Sequence, residues 1–329
     1  MNDVDKLKAF QTYFNLMSMN GGVRIYHTAR DFGIFENIGK GISTVDEIAR
    51  SCQIQKRPAK LLLDALCSLK VLTSHNGSYH LTPVIQFLSG NYQNLSDEYW
   101  DHLPELLKTG NSWTKMDDTK QSEKQYEAQV TALAWMMKPA AEMASGMLNI
   151  GEKRKGLCIL DIGAGSAIWS LTFASKDDKT SITAVDWPAV LEIAKASAKK
   201  LNLMERFTAL SGNYHEVELS PESFDLVIVG NVTHIETPEG NKALFAKAKK
   251  SLKANGEIVI FDIFPGQEEG ELSHALYALG LALRTEKGQV YSSEQLQEFL
   301  LQSGFVDFEF HPIRVPPYTM GMLLAKRGK

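Results

Sequence analysis

Four short segments of this 329-residue chain carry residue types that could do chemistry together. The first is Asp161-Ile162-Gly163-Ala164-Gly165-Ser166, at the end of an apolar run. Glycine there lets the backbone turn sharply and come close to a ligand. A dinucleotide fingerprint would add a third glycine at position 168, where Ile168 stands, which argues against NAD. The second is Asp186-Trp187, with Asp186 lying 21 residues beyond Gly165. A carboxylate at that distance can accept hydrogen bonds from both hydroxyls of a ribose. It also fits a helix N-cap before Pro188, and the two roles are compatible. The third is Gly212-Asn213-Tyr214, either a plain turn or an adenine site, with the Asn213 carbonyl accepting from the amino group and Tyr214 against the ring. The fourth is Gly230-Asn231-Val232-Thr233-His234. A lone loop histidine is more often structural than catalytic, but this one falls where a ligand is expected and can serve as a general base. Asp262, 28 residues further on, can fix its tautomer and steady its positive charge.

The elements that must position these segments are strands alternating with helices. Apolar runs predict strands at 157–162, 181–186, 207–210, 224–229 and 257–261, and two more at 305–310 and 320–325. Helical patterns at 188–201 and 238–252 lie between them. Continuously apolar strands separated by helices imply a parallel sheet covered on both faces, with the two late strands as a partly antiparallel edge. Ligands of such sheets bind beyond the carboxyl ends of the strands, and all four segments fall there.

The first 100 residues read differently. Ser43-Thr44-Val45-Asp46-Glu47 is a helix start, and Leu61, Leu62, Ala65, Leu66 and Leu69 form one stripe of a second helix. Residues 71–73 and 79–82 flank an Asn76-Gly77 turn and predict a hairpin. Helix, helix, hairpin is a winged-helix pattern, which binds DNA or serves as a protein scaffold. Ten Lys+Arg against nine Asp+Glu in this stretch favour the scaffold, because phosphate binding needs a concentrated positive face. Residues 96–150 are helical and rich in Trp and Met. Trp113, Trp135 and Met136 there, with Tyr277 and Met320 later, are either core or the wall of a pocket for a flat organic substrate.

A net charge of −4 with 22% charged and 44% hydrophobic residues gives no sign of a polyanion partner and leaves ample core material. Three widely spaced cysteines make neither a disulfide framework nor a metal site, and suit a reducing cytoplasm. No apolar run reaches the ~18–20 residues of a membrane span, no basic face accompanies the aromatics, and residues 3–8 show no signal-peptide pattern. No metal-ligand cluster is visible.

On these motifs the chain resembles, over essentially its whole length, the plant and bacterial small-molecule O-methyltransferases. The resemblance implies an α/β fold: a mainly helical winged-helix dimerisation domain (1–100), a helical linker and substrate-pocket region (101–154), and a Rossmann-like domain (155–329) whose mostly parallel seven-stranded sheet binds S-adenosylmethionine (SAM). It assigns Gly163 and Gly165, Asp186, and Gly212 with Asn213 to the cofactor, and Asp161, Trp187, Tyr214 and Asn231 in the same segments are expected to join them. His234, in "VTHIE", takes the place of the catalytic histidine and Asp262 that of its orienting acid. An intertwined homodimer follows from the same resemblance. Three departures stand out. Asn213 replaces an aspartate, Ala167 replaces a glycine, and the stretch Lys287-Gly288-Gln289-Val290-Tyr291 lacks the second acid that flanks the histidine in plant members.

The resulting expectation is methyl transfer to a hydroxyl of a small aromatic or conjugated metabolite, with His234 taking the proton. Three rivals stay open: C- or N-methylation on the same scaffold, a SAM-binding decarboxylase, hydroxylase or pericyclase, and a winged-helix DNA-binding regulator.

Overall fold

A computed structural model describes residues 3–88, 97–265, 271–315 and 318–329. The chain divides into two compact units, 1–93 and 94–329. In the first, α1 (Asp3–Asp31), α2 (Ile34–Gly39), α3 (Val45–Ser51) and α4 (Lys56–Ser68) precede β1 (Leu72–His75), β2 (Ser78–Leu81) and the short α5 (Ile85–Leu88). Thr44 starts α3 with a capping box: its hydroxyl accepts the Glu47 N–H, and the Glu47 carboxylate accepts the Thr44 N–H. Asn76 and Gly77 both have positive φ, 51° and 78°, as a two-residue turn between right-twisted antiparallel strands requires. Ile34, Ile48, Leu63, Leu66 and Leu72 form this unit's core. Much of α1 stays outside it. Leu7, Phe10, Phe14 and Met17, spaced three and four residues apart, are all exposed, Leu7 at 70% and Phe14 at 58%.

The second unit opens with α6 (Asp97–Asp101), α7 (Leu103–Thr109) and the long α8 (Thr119–Met147). Then β3 (Cys158–Ile162), α9 (Ile168–Ala174), β4 (Ser181–Asp186), α10 (Pro188–Lys200), β5 (Phe207–Ser211), β6 (Phe224–Gly230), α11 (Pro238–Ser251) and β7 (Leu252–Asp262) alternate. Helices α12 (Glu271–Arg284) and α13 (Ser293–Gln302) lead to β8 (Phe305–Val315) and β9 (Tyr318–Arg327). The sheet order is β5-β4-β3-β6-β7-β9-β8. Strands β3 to β7 are parallel, and β9 pairs antiparallel with both β7 and β8. The strand order reverses at β3, which pairs with β4 on one side and β6 on the other.

Alternate residues of each central strand feed opposite cores, the two-residue period of a doubly covered sheet. Leu160, Val227, Val229, Ile258 and Ile260 meet Leu244, Phe245, Leu296 and Leu300 from α11 and α13. Ile159, Leu226, Ile228, Val259 and Phe261 meet Trp169 and Phe173 of α9 and Ala140, Ala141, Ala144 and Leu148 around the end of α8. The later half of 101–154 is thus core to the second unit. Cys52, Cys67 and Cys158 are free and half-buried. Among the described residues, no helix is long and apolar enough to cross a membrane.

Candidate active site

The turn after β3 and the turn after β6 lie side by side at the reversal point. Gly163 has φ +64°, and a Cβ there would sit 2.5 Å from Val232 Cγ2, so only glycine lets the second turn close on the first. Gly230 is closed on the other side. A Cβ there would lie 2.6 Å from Cδ1 and Nε1 of Trp169, whose ring stacks flat on Phe261 at 4.0 Å. Ala167, at the start of α9, takes a left-handed φ of 57°, a conformation that favours glycine.

Asp161 does not face outward. It is buried and accepts the Ser170 hydroxyl at 2.5 Å, tying β3 to α9. Burial lifts its pKa to about 7 despite that hydrogen bond. Asp186 receives the Gly165 N–H on one oxygen and the Trp187 N–H on the other, both at 2.7 Å. Each carboxylate oxygen keeps a second lone pair that can accept from a further donor. Burial raises the Asp186 carboxyl, against the pull of its two backbone donors. Trp187 acts through its backbone, as the residue before α10. The Asn213 carbonyl accepts the His215 N–H at 3.0 Å, closing the turn after β5. Gly212 packs against Val217 in the same turn. The Tyr214 ring lies near Gly163, and its hydroxyl donates to Glu236 at 2.6 Å. Burial and Glu236 keep that phenol protonated well above the usual range.

His234 is 8% exposed, in the short 3-10 turn Thr233–Ile235 that follows β6. Its Nδ1 lies 2.8 Å from Asp262 Oδ1 at the end of β7. Asp262 also accepts the Thr233 hydroxyl at 2.5 Å and the Ile263 N–H at 2.8 Å. The turn is clamped through its carbonyls: Asn241 donates to Thr233 O, Gln289 N–H to His234 O, and the Tyr291 hydroxyl to Glu236 O. Asn231, with φ 59°, donates its N–H to Phe261 O and so carries the β6–β7 pairing into the turn.

Of the expected substrate residues, Tyr277 meets His234, its hydroxyl 3.0 Å from Nε2. Trp113 stacks on His102 and meets Tyr99 edge-on, Trp135 is 59% exposed, and Met136 is half-buried. Met320, on the inward face of β9, is 3% exposed and belongs to the core with Ile313 and Met322.

Sequence reasoning missed Glu236 and three residues of α8. Glu236 accepts from both Tyr214 and His215, linking the turn after β5 to the His234 turn. Burial alone would raise its carboxyl, but these donors outweigh it and hold it below the usual value. From α8, Glu123 accepts the Ala189 N–H at 2.9 Å, and Val130 sits where a Cβ at Gly165 would be 2.9 Å away. Tyr126, also on α8, is driven by burial to a pKa of about 12. A helix that approaches a loop from 35 or more residues earlier leaves no spacing signal. Segment 287–291, which lacks the expected second acid, acts on His234 through its backbone: a Cβ at Gly288 would come 2.9 Å from His234 O.

Residues 159–256 match the sequence profile of a methyltransferase-domain family. This part of the chain is a class I, SAM-dependent methyltransferase domain. The domain and its surroundings are similar to L-tyrosine C(3)-methyltransferase of Streptomyces lavendulae, 29% identical over 172 residues; the match spans 51% of this chain and 47% of that protein. They are also similar to 3-hydroxy-5-methyl-1-naphthoate 3-O-methyltransferase of Streptomyces sahachiroi, 22% identical over 84% of each chain. The fold of the whole chain is that of human N-acetylserotonin methyltransferase solved with SAM (TM-score 0.71, 19% identity, 100% of this chain and 99% of that one). Among the described residues no group of three or more His, Cys, Asp or Glu could hold a metal ion.

The buried Asp161 of the methyltransferase domain makes stability depend on pH. Its folded-state pKa of about 7 exceeds the unfolded value of about 3.9, so the folded state retains a proton that the unfolded chain loses between those values. Stability should therefore fall as pH rises through that window. Asp161→Asn, which keeps an acceptor for Ser170, should lose less melting temperature than the native protein between about pH 5 and pH 7.5. Parallel curves for the two proteins would show that Asp161 does not titrate there.

Proposed function

We propose that this enzyme moves the methyl group of SAM to a hydroxyl of a small aromatic metabolite, with His234 as general base. The observation that carries this reading is the His234–Asp262 pair, held at the end of β6 directly beside the glycine turn. The residues present suit the cofactor. The left-handed φ of Gly163 and Gly165 would let the turn after β3 curl around the ligand, Asp186 has lone pairs left for the ribose, and Asn213 and Tyr214 in the turn after β5 would take the adenine. Asp186, Glu123 and Glu236 put negative charge around a site for a cation. When bound, SAM supplies an electrophilic methyl on a sulfonium.

The protein's own part is to position and to take a proton. Asp262 is acceptor-only while ionised, so it holds the Nδ1–H tautomer and leaves Nε2 as the base. A general base within hydrogen-bond reach of a phenol of pKa near 10 contributes typically about 10²–10⁴-fold. Alignment of acceptor and donor supplies the rest. One further reading has specific support. Similarity to a tyrosine C-methyltransferase, together with the missing second acid at 287–291, favours methylation of a ring carbon ortho to a hydroxyl. Mass and NMR analysis of the product separates the two.

The exposed stripe Leu7, Phe10, Phe14 and Met17 on α1 supports a homodimer formed through the N-terminal unit, with the second copy covering it. Three free thiols are in keeping with a cytoplasmic enzyme.

His234→Gln should cut kcat by about 10²-fold or more with SAM affinity unchanged; native turnover in that variant would remove the general-base role. Asp186→Ala should instead raise the SAM dissociation constant at least about tenfold, read by calorimetry, since two hydroxyl hydrogen bonds are lost. The double variant Phe10→Asp/Phe14→Asp should run as a monomer in light scattering. A dimer that survives both charges would place the interface elsewhere.

A further inference from the structure

The Asp262 carboxylate accepts from three donors, so His234 Nδ1 carries the imidazole proton and Nε2 presents the lone pair. That lone pair already has a partner. The Tyr277 hydroxyl lies 3.0 Å away, with its ring edge-on to the imidazole at 82° and 5.6 Å between centroids. Tyr277 comes from α12, and the Arg284 guanidinium of the same helix stands 5.8 Å from its ring centroid. His234 is otherwise enclosed, 8% exposed and fixed through its backbone carbonyl by Gln289. The atom assigned to take the substrate's proton therefore already receives a hydroxyl from the protein.

We propose that Tyr277 is a catalytic residue that relays the proton from the substrate hydroxyl to His234. The idea rests on the general-base reading above and deepens it. In the step, the substrate O–H bond breaks and its proton passes to Tyr277 Oη, while the Tyr277 proton passes to His234 Nε2. The substrate oxygen forms its bond to the methyl carbon as the sulfur–methyl bond breaks, leaving that electron pair on sulfur. Tyr277 ends as it began, a neutral phenol, and the imidazolium formed faces Asp262. No further reactant is needed.

The relay also selects its substrate. Tyr277 is a phenol, so proton sharing with it is nearly level when the acceptor is itself a phenol. A much weaker acid, such as an aliphatic alcohol, would have to push its proton uphill onto Tyr277 before His234 could gain. The geometry therefore points to an aryl hydroxyl as the group methylated.

The test compares Tyr277→Phe, His234→Gln and the double variant in the full chain. The relay predicts that each single variant loses about 10²-fold or more in kcat, with SAM affinity and melting temperature near native. The double variant should be no worse than the poorer single one, because both residues serve one proton path. In ¹⁵N spectra of the cofactor-free protein, the His234 Nε2 resonance should move in Tyr277→Phe, as a lone pair losing its donor must. Proton inventories in H₂O/D₂O mixtures should curve for the native enzyme, reporting two protons in flight. A Phe variant within about twofold of native kcat, alongside an inactive His234→Gln, overturns the relay and makes Tyr277 a cap that the substrate displaces. An Nε2 resonance unmoved in that variant overturns it as well. If His234→Gln also turns over at the native rate, it is the general-base reading that fails.

Discussion

The parallel pairing of β3 with β6 is the constraint on which the site depends. Ile162 lies opposite Val229, so two chains leave adjacent strands about 4.8 Å apart and must turn in the same small space. One turn solves this with Gly163, into whose missing side chain Val232 packs. The other solves it with Gly230, under which Trp169 slides to stack on Phe261. The glycine turn and the His234 turn are thereby locked against each other by sterics, and neither can shift alone.

On that locked edge, hydrogen bonds set the finer geometry. Asp262 gathers Thr233, His234 and its own next backbone N–H, while Asn241, Gln289 and Tyr291 hold the carbonyls of the same turn. Glu236 extends the network to Tyr214, whose ring stands beside the glycine turn. An imidazole fixed by this many partners spends little energy on reorientation if its charge changes. The acids are divided by burial into two kinds. Asp161 is sealed away and made hard to ionise, whereas Glu236 is given enough donors to stay charged.

Much of this was legible in the sequence, for a physical reason. Strand ends are marked where apolar periodicity stops, and Asp186, His234 and Asp262 could be placed at one edge of a sheet from that alone. What stayed hidden depends on the rotation and approach of helices. Tyr277 could be named as a site residue, but its contact with Nε2 depends on how α12 lies, which no spacing reveals. Val130 reaches the glycine turn from α8 for the same reason. Met320 went the other way: an apolar residue at a strand's ligand end faces either the pocket or the core, and the pleat of β9 put it in the core. Asp161 shows the limit of motif reading, since its place in the glycine segment conceals a side chain turned inward to Ser170.

The order β7-β9-β8 has a consequence for how the molecule is made. Among the described residues, β8 joins the sheet through β9, which comes later in the chain. A nascent chain that has reached residue 315 thus carries β8 with nowhere to dock, and the edge of β7 lies open beside it. Such an edge, with Ile258 and Ile260 on one face and Val259 and Phe261 on the other, invites pairing between neighbouring chains. The ten residues of β9 act in that sense as the latch of the sheet, closing one strand and admitting another in a single event.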